Sequence, residues 1–163
     1  MSTIRILSTS LLAASLLVQP AMAQNKADKA AIGKSVTEFL KVSQGLVTAL
    51  ADLSKRTGTA SPNDKEMLKL ATSQLGLVDA TADGVVALGL VAAEVRDAGD
   101  VAIAKKQLAT RCNALKTLAE ATGKYVGSLA PNIAAVATAA ELNKARDLVV
   151  QMGQHALCNP GKA

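Results

Sequence analysis

Apolar residues return at alternating steps of four and three along most of the chain after residue 27. That rhythm keeps one side of an α-helix apolar turn after turn and does not match the two-residue alternation of a strand. It restricts the chain to long helices that each bury one seam against another. Breaks fall near residues 58–62, 99–100 and 128–138, giving four helices. Short connections make sequential helices antiparallel neighbours. The predicted fold is therefore all-α, an antiparallel up-down-up-down four-helix bundle.

The first helix is expected over Asp28–Thr57, with Ile32, Val36, Phe39, Ser43, Leu46, Leu50 and Leu53 on its seam. Lys55 and Arg56 suit the negative end of the helix dipole, and Gly58 is placed to supply a left-handed stop. The second helix opens on Ser61 as cap, Pro62 in the first helical position and Asp64 in the first turn. Its stripe is Leu68, Ala71, Leu75, Val78, Ala82, Val85, Gly89 and Ala92. It is expected to end at Gly99, with Asp100 capping the third helix. The third runs from Val101 to Gly127 with Val101, Ala104, Leu108, Cys112, Leu115, Ala119, Thr122 and Val126 inward. The fourth carries Leu142, Ala145, Leu148, Val149, Met152 and Ala156 inward. Its start is ambiguous: Pro131 suggests a break, and Thr138-Ala139-Ala140-Glu141 has the form of a capping box.

Residues 1–23 have the order of a cleaved secretory signal. Arg5 precedes the apolar stretch Leu11–Val18, and Ala21-Met22-Ala23 follows Pro20. The stretch falls short of the roughly 20 residues a membrane span needs. Cleavage after Ala23 leaves one domain, residues 24–163, and removing Arg5 lowers the net charge from +5 to +4. The expected location is periplasmic or secreted. In an oxidising compartment Cys112 and Cys158 are expected to pair, closing a loop of about 46 residues worth about 3–4 kcal/mol in the chain-entropy view. That pairing constrains the last turn. A tight hairpin at Pro131 would offset the sulfurs by about 10 Å along the helices, too far for a disulfide. A broad connection over residues 128–137 or a bend after Gly153 is required.

Composition narrows the function. Half the residues are hydrophobic and 32 are alanine, but Phe39 and Tyr125 are the only aromatics. The chain is too apolar for disorder and too poor in β-branched and aromatic residues for a barrel or sandwich. It has no aromatic platform on which bases would stack, and its lysines and arginines alternate with acids, so no nucleic-acid partner is expected. The all-round apolar run Val85–Ala93 is read as a helix middle buried on most sides; nine residues are too few to span a bilayer.

Few residues suggest chemistry. Met152, His155 and Cys158 step by three and offer soft donors, with Cys112 as a fourth, but a bridged sulfur is a poor metal ligand. The C-x-x-C-H of attached haem is absent, and the single histidine cannot build a carboxylate-bridged di-metal site. Asp79 and Asp83 lie one turn apart, a spacing that can mark an acid–base or cation site and more commonly marks a solvated face. No catalytic residue, cofactor or metal is assigned. The expectation is an exported, non-enzymatic helical protein that binds another protein or a cell-envelope component, of inhibitor, immunity or adaptor type. The alternative is a periplasmic small-ligand or metal carrier that uses the bundle interior or the Met152/His155/Cys158 end.

Overall fold

A computed structural model describes residues 10–160, with side chains from Lys26 onward. The signal-peptide reading therefore falls on residues outside the described set, save for helical backbone from Ser10. Four helices follow in order: α1 (Ser10–Thr59), α2 (Pro62–Glu94), α3 (Ala98–Leu129) and α4 (Val136–Gln154), with a single 3-10 turn at Ala130–Asn132 between the last two. No strand occurs among the described residues.

The four-three rhythm accounts for the packing. All eight stripe positions expected on α2 and all eight on α3 are buried. On α1 the seam shifts slightly: Val36, Phe39, Val42, Leu46, Ala49 and Leu53 reach the core, and Ile32 and Leu50 only border it. Contacts close in the order α1–α2–α3–α4–α1.

Helix ends differ from the sequence expectation: α1 runs from Ser10 instead of Asp28, α2 stops at Glu94 short of Gly99, and α4 stops at Gln154 short of Ala156. Gly58 lies inside α1, and no described glycine has a positive φ. The helix stops because Ser61 precedes proline, whose ring disfavours the helical conformation in the residue before it; Ser61 is extended, with ψ 156°. Its hydroxyl accepts the amide of Asp64 at 3.2 Å, as a capping residue should. The cap of α3 is Asp97, not Asp100. Its Oδ1 accepts the amides of Gly99 (2.8 Å) and Asp100 (3.2 Å), so Gly99 becomes a first-turn residue.

The capping box at Thr138 is not used. Thr138 is buried inside the first turn of α4, its backbone amide bonds to the carbonyl of Ala135, and Glu141 pairs with Lys144. Tertiary contacts set this start instead. Buried Ile133 anchors the connection, and the buried carboxylate of Asp64 accepts the amide of Ala134 at 3.4 Å.

Both irregularities required by the cysteines are present. The connection between α3 and α4 is broad, and α4 stops at Gln154 before the chain turns inward to Cys158. The two sulfurs stand at disulfide distance, with Cα atoms 5.1 Å apart.

Candidate functional site

A concave region follows from a mismatch in helix length. α4 has 19 residues and α3 has 32. Where α4 ends, α1 and α3 continue without a fourth helix beside them. The space along Asp28–Ser35 of α1 and Lys105–Asn113 of α3 is a cleft of about 470 Å3. Ile32, Leu108, Leu157 and Pro160 give it an apolar lining, and the Cys112–Cys158 pair adds to that surface. Lys105 Nζ lies 3.2 Å from Asp28 Oδ2 across its mouth. This is the one ion pair among the described residues that joins two helices; the others link residues within a helix.

The turn that closes α4 forms the end of the cleft. His155 is extended and ends the helix. Its Nδ1 accepts the amide of Leu157 at 3.2 Å, so this nitrogen is unprotonated. Its ring meets Phe39 edge-on, with centroids 5.3 Å apart. Partial burial lowers the imidazole pKa below its ordinary value, and the carboxylate of Glu38 opposes the shift. The amide of Asn159 donates to the carbonyls of Gly153 and His155, which ties the turn back onto the helix.

The soft-donor trio is in a poor state for a metal. Met152 is fully buried in the core, His155 Nδ1 is occupied by Leu157, and the Cys158 sulfur is at bonding distance from Cys112. Among the described residues no three His, Cys, Asp or Glu side chains converge on a point that would hold an ion. Asp79 and Asp83 are one turn apart on α2. Burial, and secondly the charge of Asp83, raise the pKa of Asp79. Its Oδ1 is buried without a hydrogen-bond partner.

The Val85–Ala93 run is not buried on most sides. Val85, Gly89 and Ala92 are in the core, but Leu90 and Val91 are 43% and 47% exposed. Leu70 and Leu77 lie further up the same helix, 56% and 52% exposed. α2 is the one described helix long and apolar enough, by length and composition, to cross a membrane. Its inner seam is nevertheless packed against α1 and α3.

Two features escaped the sequence reading. One is the outer face of α2, where Leu70, Ser73, Leu77, Ala80, Gly84, Ala87 and Val91 repeat the three-four step opposite the core seam. The signal was legible as a second seam on the same helix. The other is the cleft, which depends on where α4 ends. The sequence reading carried that helix to Ala156, and nothing in residues 155–160 marks a stop as clearly as Ser61-Pro62 marks a start.

No family model matches the chain, and no curated protein or solved structure matches it.

Proposed function

We propose that this chain is an exported, non-enzymatic helical-bundle protein that binds another protein through the outer face of α2. The carrying observation is the line Leu70, Leu77 and Val91, three large apolar side chains each 47–56% exposed on one helix face. Contiguous apolar surface of this kind marks an interaction site more often than singly scattered residues do. Ser73, Ala80 and Ala87 run along the same face, while the Arg111 side chain of α3 lies over Gly84. Small side chains let a partner helix approach closely, and the leucines supply apolar area beside it. The partner is an amphipathic helix with an apolar stripe of its own.

The topology belongs to this reading. An antiparallel up-down-up-down arrangement is supported by which positions meet. Asp28 of α1 pairs with Lys105 in the first third of α3, and Cys112, midway along α3, pairs with Cys158 just beyond the end of α4. Asp64 joins the α1–α2 turn to the start of α4. Export rests on Arg5, the apolar run Leu11–Val18 and Ala21-Met22-Ala23, and on a cysteine pair suited to an oxidising compartment. N-terminal sequencing of protein recovered from the periplasm should begin at Gln24.

The binding test uses a partner captured from envelope extract, purified, and titrated against wild type and a Leu70→Ser/Leu77→Ser variant. The expected result is at least a tenfold loss of affinity with unchanged helical circular dichroism. Unchanged affinity for the variant would remove the outer face of α2 from the reading.

A further inference from the structure

We propose that the cleft between α1 and α3 binds a small single-chain anionic amphiphile, its tail on Ile32, Leu108 and Leu157 and its head on Lys105. This site is separate from the α2 face and rests on different residues. Its size is right: small-molecule sites run from about 300 to 1,000 Å3, and this one is about 470 Å3. Its polarity is divided along its length. Asp28 and Lys105 make one ionic end. Ser35 and Asn113 lie seven or eight residues further along the two helices, about 10 Å away at 1.5 Å per residue. Apolar side chains fill the interval. A ligand that matches this order has one charged head and an extended apolar body.

The sign of the head follows from the local charge. Lys26 and Lys29 flank Asp28 on α1, and Lys106 follows Lys105 on α3. Residues 26–29 and 105–106 together carry four lysines and one aspartate, so the field at that end favours an anion. A cationic head would gain Asp28 and lie beside Lys105, the cation that lines the cleft. Asp28 meanwhile holds Lys105 at the mouth, which spares the ligand the ordering of a long flexible side chain. Lys105 is also partly exposed, 40% by side chain, so its ammonium can turn to an incoming carboxylate. The same bridge argues against a peptide helix as occupant. A helix is about 10 Å across, and to lie between α1 and α3 it would have to break the Asp28–Lys105 ion pair that joins them.

The experiment uses the purified full-length mature chain, with calorimetric titration of decanoate and of decyltrimethylammonium below their micelle concentrations. Three variants accompany wild type. Lys105→Ala removes the head contact. Ala109→Trp places an indole over the cleft from an exposed position on α3, where the cost to the fold is small. Leu77→Ser alters only the outer face of α2. The expected result is saturable one-to-one binding of decanoate, with decyltrimethylammonium at least tenfold weaker. Lys105→Ala and Ala109→Trp should each weaken decanoate at least tenfold, and Leu77→Ser should leave it unchanged. Asn113→Trp, also at an exposed lining position, replaces Ala109→Trp if that variant melts early. Absence of saturable decanoate binding, equal binding of the two heads, or full binding to the tryptophan variant would each overturn the proposal. Loss on Leu77→Ser alone would place decanoate on the α2 face and overturn it too.

Discussion

Replacing Gly89 with alanine tests how closely α1 and α2 approach. A Cβ built on Gly89 would stand 2.5 Å from Cγ2 of Val36, with the methyls of Leu157 at 3.8 Å. Val36 cannot swing aside cheaply. A valine in a helix has essentially one χ1 rotamer, and this one is only 1% exposed. Extra volume in a packed core costs about 1–3 kcal/mol. Alanine also gains about 0.8–1 kcal/mol over glycine in a helix interior. The net for Gly89→Ala is therefore a loss of about 0–2 kcal/mol. Gly76 supplies the control on the same helix, because nothing lies within 4 Å of its would-be Cβ. Gly76→Ala should collect the helix-propensity gain alone, about 0.8–1 kcal/mol. The two variants should differ by about 1–3 kcal/mol, the steric term by itself.

Urea unfolding followed by helical circular dichroism measures this, since the chain has no tryptophan to report by fluorescence. A double-mutant cycle sharpens it. Val36→Ala alone should cost about 2 kcal/mol from two lost methyls and the space they leave. Combined with Gly89→Ala it should be milder than the sum by about 1–3 kcal/mol, because the new methyl takes the position Cγ2 gave up. If Gly89→Ala proves as stable as Gly76→Ala, or the cycle is additive, the close approach at this crossing is refuted.

Three further outcomes follow from particular residues. Replacing Cys112 and Cys158 together by serine should lower stability by about 3–4 kcal/mol, and non-reduced wild type should show no free thiol by reagent titration. Asp79 has a raised pKa from burial first and Asp83 second, so the folded chain holds this proton to higher pH than the unfolded chain. Stability is then lost as pH rises from the ordinary carboxylate value through the raised native one; Asp79→Asn should be more stable than wild type at pH 7, with the gap closing in acid, and an equal gap at both pH values would contradict the shift. His155 has a lowered pKa from burial, so the unfolded chain takes the proton first and stability falls as pH drops through and below the ordinary imidazole value. His155→Asn keeps an acceptor for the Leu157 amide and should flatten that slope in melts between pH 7 and 5.

The helical seams of α2 and α3 were legible residue by residue because burial there is decided by a single periodic rule. Helix ends were less legible because local signals compete. Gly58, Gly99 and Thr138 each look like punctuation in isolation. Ser61-Pro62 overrode the first by forcing an extended residue. Asp97 overrode the second by reaching two free amides at once. Asp64, 70 residues away in sequence, overrode the third by fixing Ala134. The pairing of Cys112 with Cys158 was legible because two cysteines allow only one intramolecular bridge. The site was not legible for a corresponding reason. A cleft that exists because one helix is shorter than another is set by where that helix stops, and stops were the weakest part of the reading.

The same length mismatch decides where a carrier function has room. The sequence alternative placed a ligand in the interior or at the Met152/His155/Cys158 end, and in the interior small residues draw the helices close. Val36 lies over Gly89, Val150 over Gly123 at 3.1 Å and Ala119 over Gly153 at 3.1 Å, each measured to the would-be Cβ. At such spacing the facing positions of these helices are in close contact. Alanine wealth and the scarcity of aromatics thus work in two directions. They draw the helices together, and they leave side chains too short to fill the corner where α4 ends. The cleft between α1 and α3 comes from missing helix length at the Cys112–Cys158 end, which is also where an ion pair and an apolar surface meet. Extending α4 by even two turns past Gln154 would fill that corner, so the early stop at His155 is the structural condition for any ligand site here.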